Sequence, residues 1–480
     1  MKNNSKIVTR FAPSPTGFMH VGSVRTALFA WLFAKKNNGT FILRIEDTDK
    51  KREVEGSIEH IIKSLKWLNI NWDEGPDIGG PNSPYIQSQR LDTYKKYAEI
   101  LYKKDLAYAD PYTEEELEVF RKKADEEKKP FLFREHRPDK PPKWDGTKPL
   151  RLKIKDVKRY VWNDLVRGEL SAGPEALDDF ILMKSDGYPT YNFAHIIDDL
   201  YMGVTHIFRA DEFISSTPKF LALYEALDIK RPEFATLPPI IGPDGKKKLG
   251  KRDGAKDILD YKKEGFLPEA VINFLSFIGW NPGDEREVMK IEEIIEAFDI
   301  KKIQSAGGKF NEEKLIWLNK EYIKKLPKEK IISEIKNRFP KEFQDEKIIN
   351  KISDLIVERI NVFSDIDKMV VDGDIQYYFE IPIISKEMIV WKKGGTLVEA
   401  KENLSLVSDI LNKISDKDFT LEILKQELMK LAEEKGKGNV LWPLRVALSG
   451  KEKSPDPFTL LFVLGKNESI NRIKKAIESI

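Results

Sequence analysis

The chain contains no cysteine and only five histidines in 480 residues. The absence of cysteine excludes disulfides, thiol chemistry and zinc sites with cysteine ligands. The chain also lacks an apolar run long enough to span a bilayer, because its most apolar stretch, at 270–280, contains Asn273 and Ser276. The first six residues are polar and have no apolar signal-peptide core, so we expect a cytoplasmic protein.

Neither sign of charge dominates the chain. Its 81 lysines and arginines are balanced by 79 aspartates and glutamates, which leaves a net charge of +2. The overall charge therefore gives no indication of a nucleic-acid partner, and any such surface must be a local patch. The composition, 41% hydrophobic and 33% charged, is that of a globular protein. A chain of 480 residues is too long for one hydrophobic core, so we expect several domains.

The N-terminal part of the sequence alternates between strand and helix patterns. A β-rich run at 7–11 ends in the turn residues 13–17, and apolar residues then recur at helical spacing from Val21 to Leu32. A second strand pattern at 40–45 and a second helical pattern at 58–68 follow. This alternation predicts an α/β fold of the Rossmann type, with a doubly wound parallel sheet. In such folds the turn after the first strand commonly holds a nucleotide.

The remaining sequence predicts further domains. Residues 91–192 interrupt the α/β pattern, which resumes at 193–238, and largely helical patterns continue from there to the end. We therefore predict a Rossmann domain made of 1–90 and 193–238 and an inserted domain at 91–192. An all-α remainder follows, divided into 239–325 and 326–480.

Two separate segments point to a ligand that carries phosphate. In the first, 10–23 (RFAPSPTGFMHVGS), small residues let the backbone approach a ligand and His20 can donate to phosphate oxygens. The second, 242–254 (GPDGKKKLGKRDG), places five basic residues between glycines, and a cationic loop can close over a triphosphate. Taken singly, each has an ordinary alternative: a strand-to-helix turn capped by a histidine, and a solvated charged loop.

Further motifs give these segments a family resemblance. His20-Val21-Gly22-Ser23 resembles the HIGH motif, and 248–252 (KLGKR) the KMSKS loop, of the bacterial-type glutamyl-tRNA synthetases, a family of class I aminoacyl-tRNA synthetases. Other matches follow in family order along essentially the whole chain: 44–49 (RIEDTD), 85–90 (YIQSQR), 186–194 (DGYPTYNFA), 202–206 (MGVTH), 209–212 (RADE), 278–280 (IGW), 317–319 (WLN) and 443–450 (PLRVALSG).

The resemblance implies a two-step ligase reaction. ATP, as a complex with Mg²⁺, and L-glutamate form glutamyl-adenylate, and the glutamyl group then passes to the 3′-terminal adenosine of tRNA(Glu), with release of AMP and diphosphate. The first step needs no general base because the α-carboxylate is already a nucleophile, so positioning and charge neutralisation carry it. The resemblance also implies a monomer without a membrane partner. It leaves open whether tRNA(Gln) is a second acceptor.

The resemblance assigns roles to individual residues. Two arginines are expected to pair with the carboxylates of glutamate, whereas Glu46 holds its ammonium group. The residues expected to bind glutamate are Arg10, Ala12, Ser14, Glu46, Tyr191, His195 and Arg209. Those expected to bind ATP are Thr16, Gly17, His20, Gly22, Glu212, Lys248, Leu249 and Lys251. The expected catalytic residues are His20, Lys248 and Lys251. The alternative for Arg10 and Glu46 is an ion pair across adjacent strand ends.

The resemblance also implies how tRNA is bound. The insertion at 91–192 would hold the acceptor end, 239–325 would contact the stem, and 326–480 would read the anticodon. The candidate RNA-binding side chains, each of which is also consistent with an ordinary exposed cation, are Lys320, Lys324, Lys325, Arg359 and Arg445.

Several residues depart from the family pattern. Gly250 replaces the usual serine of the second motif, Asp253 a frequent histidine, Phe213 a frequent tryptophan and His195 a frequent asparagine. The cysteines with which many bacterial members bind zinc are absent from 108–111 (YADP), so we expect no structural zinc.

Three alternatives remain. A glutaminyl-tRNA synthetase usually has a Pro-Glu-Pro-Asn-Gly type of segment where this chain has 12–17 (APSPTG), and it tends to have β-barrel anticodon domains. A truncated glutamyl transferase that modifies a base of tRNA would stop before the anticodon-binding region. A non-catalytic RNA-binding relative is disfavoured by the presence of Arg10, His20, Glu46, Arg209 and Lys251.

Overall fold

The computed structural model describes residues 6–250 and 256–480, which form two compact units. The first unit contains the described residues up to Lys262, together with Leu267–Leu318. The second contains Lys263–Phe266 and Asn319–Ile480.

The strands of the described chain are short. In chain order they are β1 (Val8–Phe11), β2 (Thr40–Leu43), β3 (Ala107–Ala109), β4 (Leu150–Leu152), β5 (Tyr160–Asp164), β6 (Gly168–Ala172), β7 (Ile181–Met183), β8 (His206–Ala210), β9 (Glu233–Leu237), β10 (Ile240–Ile241) and β11 (Gly308–Lys309).

Helices make up most of the remaining secondary structure. They are α1 (Val21–Lys36), α2 (Ser57–Trp67), α3 (Leu91–Lys103), α4 (Glu114–Glu126), α5 (Tyr191–Tyr201), α6 (Thr217–Leu227), α7 (Ile258–Lys263), α8 (Pro268–Ser276), α9 (Ile291–Ala297), α10 (Glu312–Ile323), α11 (Lys328–Arg338), α12 (Glu346–Arg359), α13 (Asp365–Val371), α14 (Lys386–Ile389), α15 (Leu397–Lys413), α16 (Leu421–Lys435), α17 (Lys437–Ser449), α18 (Pro457–Leu464) and α19 (Lys466–Ser479).

A six-stranded sheet forms the centre of the first unit, in the order β2-β1-β8-β9-β5-β6. The first five strands of this order are parallel, and β6 is antiparallel to β5. All four residues of β2 are buried, as are three of the four in β1, where the buried residues are Thr9, Arg10 and Phe11. The mixed, mostly parallel sheet with its flanking helices confirms the predicted α/β fold.

The hairpin β5–β6 belongs to this central sheet, although its residues lie within the segment 91–192 that the sequence predicts as an insertion. Buried Asp164 holds it there. Its carboxylate accepts hydrogen bonds from the Thr236 hydroxyl at 2.6 Å and from the Thr236 backbone N–H. The same carboxylate accepts the backbone N–H groups of Val166 and Arg167 in the hairpin turn. A boundary of the Rossmann sheet therefore cannot be drawn from chain order alone.

The rest of the segment 91–192 contains the antiparallel sheet β3-β4-β7 and a small aromatic cluster. Tyr108, Leu117 and Phe133 are buried in this cluster, at the place where the sequence lacks the family's cysteines. The described part of the chain holds no group of three or more His, Asp and Glu side chains that could bind a metal ion. The expectation of no structural zinc stays a prediction.

The secondary structure of the second unit's described residues is entirely helical, and helices α11–α19 lie within it. Polar side chains cap several of its helices: Asp345 accepts N–H groups at the start of α12, Thr396 at α15 and Thr420 at α16. This confirms the predicted helical C-terminal region.

In the first unit, the two-residue parallel pair β10–β11 is an addition to the predicted helices of 239–325. Within the described residues, no helix has the length and apolar character needed to cross a membrane.

Candidate active site

A cavity of about 470 Å³ lies at the carboxyl ends of β1 and β8 in the first unit. Ligands of open parallel sheets commonly bind at this edge, because loops after neighbouring strands converge there. The turn between β1 and α1 forms one wall, and residues at the end of β8 form another. The predicted site residues that line the cavity are Arg10, Ala12, Ser14, Thr16, Gly17, His20, Glu46, Tyr191, Arg209 and Glu212.

The other predicted site residues lie outside the cavity lining or outside the described chain. Gly22 is in the first turn of α1, and His195 is buried in α5. Lys248 and Leu249 lie on the segment after β10, where the Leu249 N–H donates to the Ile240 carbonyl at 2.8 Å. Lys251 and Asp253 fall in the segment 251–255, outside the described residues.

A buried network of charges forms the base of the cavity. Nε of Arg10 lies 3.0 Å from Oδ1 of Asp199, and Nη1 of Arg44 donates to the same oxygen at 2.8 Å. Arg44 also donates from Nη2 to Oε1 of Glu46 at 2.8 Å. Arg10 and Glu46 therefore each have a different partner, and the alternative of a direct ion pair between them is wrong.

Asp198 anchors the back of this network. It accepts hydrogen bonds from Nε of Arg90 at 2.7 Å, from Nε2 of Gln87 at 2.7 Å and from the hydroxyl of Tyr94 at 2.8 Å. These donors explain the 85–90 motif as a structural support for α5. Asp198 and Asp199 are not among the predicted site residues, and Arg44 is named only as part of the 44–49 motif, without a role. The signal that could have found the aspartates is two adjacent acidic residues in an otherwise apolar helix, because buried carboxylates require partners.

Within the network, the pKa values of two carboxylates are shifted in opposite directions. Burial acts to raise the pKa of Asp199, but Arg10 and Arg44 outweigh it and lower the pKa to about 2. For Glu46 burial prevails, and its pKa is raised although Arg44 and Arg10 oppose the shift. Glu46 lines the cavity with less cationic compensation than Asp199, so it is the carboxylate that a ligand cation would stabilise.

Arg209 is a buried guanidinium without a carboxylate partner in the described chain. Its Nη2 donates to the hydroxyl of Thr217 at 2.7 Å, and its Nε has no hydrogen-bond partner. The group lies over the rings of Phe234 and Phe220, 4.4 and 5.3 Å from their centroids. Burial lowers the pKa of Arg209 to about 10, which still leaves it charged at neutral pH. A buried, incompletely paired cation that lines a cavity is a binding group for an anion.

His195 lies behind Tyr191 rather than in the cavity wall. Its Nδ1 is 2.7 Å from the Tyr191 carbonyl, so this nitrogen carries the proton, and the two rings stack with centroids 4.7 Å apart. Burial lowers the pKa of His195 to about 3, so the ring is neutral. Tyr191 itself lines the cavity beside Phe213, with ring centroids 5.5 Å apart. His195 therefore supports a residue of the wall.

His20 caps the amino terminus of α1 at the other end of the cavity. Its Nδ1 accepts the Gly22 N–H at 3.1 Å, so the neutral ring carries its proton on Nε2. The side chain of Ser23 donates to the His20 carbonyl at 2.8 Å. A Cβ at position 22 would lie 3.0 Å from Cε1 and 3.1 Å from Nδ1 of His20. Glycine at this position therefore lets the histidine ring lie over the helix terminus.

The Lys-rich segment, 242–254, of which the structure describes 242–250, contacts the cavity wall through Glu212. Nζ of Lys248 lies 2.7 Å from Oε2 of Glu212, and both side chains are more than half exposed. An exposed ion pair of this kind contributes little to stability, typically less than about 1 kcal/mol. The pair instead positions Lys248 beside the cavity, because Glu212 is part of the cavity lining.

The candidate RNA-binding cations of the second unit have varied environments. Lys320 donates to the Glu358 carbonyl at 3.1 Å, and Lys324 lies 2.7 Å from Glu321. Arg359 pairs with Asp374, Lys325 is exposed, and Nε of half-buried Arg445 has no hydrogen-bond partner.

The fold and the site define a class I aminoacyl-tRNA synthetase. The family model described as "tRNA synthetases class I (E and Q), catalytic domain" matches residues 6–317, and that of an anticodon binding domain matches residues 317–477. The second match covers the region that a truncated transferase would lack.

Individual relatives narrow this class to the synthetases that use glutamate. The chain is 40% identical to a glutamate–tRNA ligase of Clostridium kluyveri, over 99% of this chain and 98% of the relative, and 38% identical to one of Clostridium acetobutylicum, over 99% of each. It is also 37% identical to the solved structure of a glutamate–tRNA ligase from Elizabethkingia meningosepticum, with a TM-score of 0.88 over 99% of this chain and 100% of the other. The chain therefore belongs to the glutamate–tRNA ligase family, the ligases that the sequence motifs resemble.

Proposed function

We propose that this chain activates L-glutamate with ATP and transfers the glutamyl group to the 3′-terminal adenosine of tRNA(Glu), as a ligase of protein synthesis. The observation that carries the proposal is Arg209, a buried cation in the cavity wall with a hydroxyl and no carboxylate as its partner in the described chain. Such a group is stabilised by an anionic ligand, and glutamate supplies two carboxylates.

The cavity offers glutamate two cations and one anion. Asp199 accepts from Nε and Nη2 of Arg10, so Nη1 is the Arg10 nitrogen available to a ligand carboxylate. Arg209 provides the second cation, and Tyr191 adds a hydroxyl to the same wall. Glu46 faces the ligand ammonium group, with Ser14 and the backbone of Ala12 beside it.

The same arrangement favours glutamate over glutamine. A neutral amide cannot neutralise a buried guanidinium, and leaving such a charged group poorly paired costs about 1–3 kcal/mol or more. Because no carboxylate of the described residues pairs with Arg209, we assign it a large share of this discrimination.

The ATP subsite is proposed at the turn before α1. Thr16, Gly17 and His20 line this end of the cavity, and the proton on Nε2 of His20 is the donor available to a phosphate oxygen. Gly22 allows the position of the histidine ring, and Glu212 holds Lys248 close by. Leu249 follows on the same segment. Lys251 is proposed as a further cation on the phosphates from its place in the KMSKS-like motif.

The first step then requires little covalent chemistry from the protein. The glutamate α-carboxylate attacks the α-phosphorus of ATP, and the bond to diphosphate breaks. The cations Lys248 and Lys251, the N–H donor of His20 and the magnesium of the substrate complex stabilise the charge that develops. In the second step a terminal ribose hydroxyl of tRNA attacks the mixed anhydride, and AMP leaves.

The tRNA is proposed to contact the chain at three places: its acceptor end at 91–192, its stem at 239–325 and its anticodon at 326–480. The family match to an anticodon binding domain at 317–477 supports the last of these. A monomeric, cytoplasmic enzyme is a further proposal, supported by membership of this family. The resemblance leaves open whether tRNA(Gln) is a second acceptor.

Exchange of labelled diphosphate into ATP tests the proposal. We expect exchange with glutamate and tRNA(Glu) together, and little with glutamine in place of glutamate. Absence of exchange from a protein that binds tRNA would contradict the enzymatic function. Charging of purified tRNA(Glu) and tRNA(Gln) in parallel then decides the acceptor specificity.

A further inference from the structure

His60 occupies a position that the proposed reaction does not use, next to the ATP subsite. It lies on α2, and its ring stacks on that of Phe18 with centroids 4.5 Å apart and planes at 20°. Phe18 is half exposed and lines the cavity, whereas His60 is not part of the lining. The side chain of His60 is only 11% exposed, so protein groups and not water surround most of it.

Both ring nitrogens of His60 have partners on different segments. Nε2 lies 2.9 Å from each carboxylate oxygen of Asp257. Nδ1 lies 3.4 Å from the Met19 N–H nitrogen and 3.3 Å from the Ser64 hydroxyl. Because a carboxylate can only accept, Nε2 carries a proton, and the lone pair of Nδ1 in the neutral ring accepts from Met19.

Asp257 is joined to the same turn by the backbone. The Ile258 N–H donates to the Met19 carbonyl at 3.0 Å, and His20 and Asp257 form an antiparallel bridge. Asp257 also accepts the Leu259 N–H at 2.8 Å at the start of α7. One imidazole therefore contacts both segments of a short β-bridge, and one of the two segments contains the ligand-facing His20.

We infer that His60 is a positioning residue for the ATP subsite, acting through Asp257 to hold the segment 257–259 against the turn 18–20. This inference rests on the proposed function only in naming ATP as the occupant of that end of the cavity. The histidine does not touch the reacting atoms. It orients the turn that carries His20, and it orients the residues 257–259, which follow the Lys-rich segment in the sequence.

In the part of the chain that the structure describes, the side chains of His60 and Asp257 form no hydrogen bond or ion pair with a residue proposed to bind glutamate. Of the groups proposed to hold glutamate, Arg10, Arg209 and Tyr191 lie on β1, β8 and α5, Glu46 follows β2, and Ala12 and Ser14 lie at the start of the turn after β1. Arg10 is oriented by Asp199 and Glu46 by Arg44. Loss of the His60–Asp257 contact should therefore weaken ATP binding and leave glutamate binding nearly unchanged. A contact that merely stabilised α2 would affect both substrates equally or neither.

The variants that test this are His60→Ala and Asp257→Ala, with His60→Gln and Asp257→Asn as conservative replacements. An asparagine at 257 keeps an acceptor for Nε2 and for the Leu259 N–H, and a glutamine at 60 keeps a donor. Asp77→Asn is the matched control. Asp77 pairs at 2.7 Å with Lys66, which lies on α2 like His60, and Asp77 is outside the cavity lining.

Diphosphate exchange and calorimetric binding of ATP give the decisive readings. We expect each alanine variant to raise KM and Kd for ATP about tenfold, the typical effect of one lost hydrogen bond to a charged group. KM for glutamate should stay within about twofold, and the double alanine variant should be no worse than either single one. The conservative variants should recover most of the loss, and Asp77→Asn should match the wild type.

Other outcomes overturn the inference. Equal increases of KM for ATP and glutamate, additive effects in the double variant, or unchanged ATP binding in both alanine variants would each show that the pair only stabilises the fold. Failure of all four variants to fold, judged by thermal melting, would lead to the same conclusion. If the wild type binds ATP but shows no exchange, the proposed function fails, whereas the ATP calorimetry still decides the role of His60.

Discussion

Oδ1 of Asp199 accepts a hydrogen bond from Nε of Arg10 at 3.0 Å, across 189 residues of sequence, and Oδ2 accepts one from Nη2 of Arg10 at 3.3 Å. The pair orients one arginine of the cavity and commits two of its nitrogens. The position of the free nitrogen therefore depends on a residue that does not line the cavity.

Asp199→Asn should impair both stability and glutamate binding. The amide leaves Arg10 and Arg44 as buried cations with a weaker partner, and breaking a buried pair costs about 3–5 kcal/mol. We expect urea unfolding to show a loss of this order and diphosphate exchange to show KM for glutamate raised at least about tenfold, because one misplaced carboxylate contact costs more than about 1.4 kcal/mol. Glu114→Gln, which removes an exposed pair with Arg121, is the control and should change stability by less than about 1 kcal/mol. A silent Asp199→Asn would contradict the role of the network.

Arg209→Met should separate activity from stability. The substitution removes a buried, unpaired charge, so the free energy of unfolding should be unchanged or increased. Glutamate-dependent exchange should fall by at least about thirtyfold, since a charge-assisted bidentate contact contributes more than about 2 kcal/mol. Chemical denaturation and exchange kinetics measure the two effects. A destabilised variant that still activates glutamate would show that Arg209 serves the fold instead.

His195 should make stability depend on pH. Its folded pKa of about 3 lies below the unfolded value of about 6.5, so between these limits the unfolded chain binds a proton that the folded chain does not. The free energy of unfolding therefore falls as pH falls through this window, by up to about 1.4 kcal/mol per pH unit from this one group.

The measurement compares the wild type with His195→Asn by urea unfolding at pH 7.5 and pH 5. Other titrating groups are common to both proteins, so their contributions cancel in the difference. We expect the wild type to lose more stability than the variant on acidification. Identical losses would mean that His195 is accessible to protons in the folded state.

Gly22→Ala should reduce activity without reducing stability. Alanine favours the helix by about 0.5–1 kcal/mol over glycine. However, its Cβ would lie 3.0 Å from Cε1 of His20 and displace the ring. We expect thermal melting to be unchanged or raised and KM for ATP to rise, with KM for glutamate serving as the internal control. An unaffected KM for ATP would show that the position of the His20 ring is not critical.

The parts of this protein that were predictable from its sequence are those in which nearby residues determine one another. The turn 13–17 follows a β-rich run and precedes a helical pattern, so β1, α1 and the turn between them follow from local spacing. The contact of His20 with Gly22 spans two residues and is local in the same sense. Motif order along the chain was sufficient to indicate the family, which the relatives confirm.

Long-range packing decided the rest. Composition and spacing do not reveal that Asp199, rather than Glu46, accepts from Arg10, that Arg209 has no carboxylate partner in the described chain, or that His195 supports Tyr191 from behind. The hairpin β5–β6 lies in the central sheet, where Asp164 accepts hydrogen bonds from Thr236 of β9 and from the hairpin turn. His60 contacts Asp257, which is 197 residues away in the sequence. The physical reason is the cost of burying a polar group without a partner. The sequence determines which side chains carry that cost, but only the folded chain determines which partner relieves it.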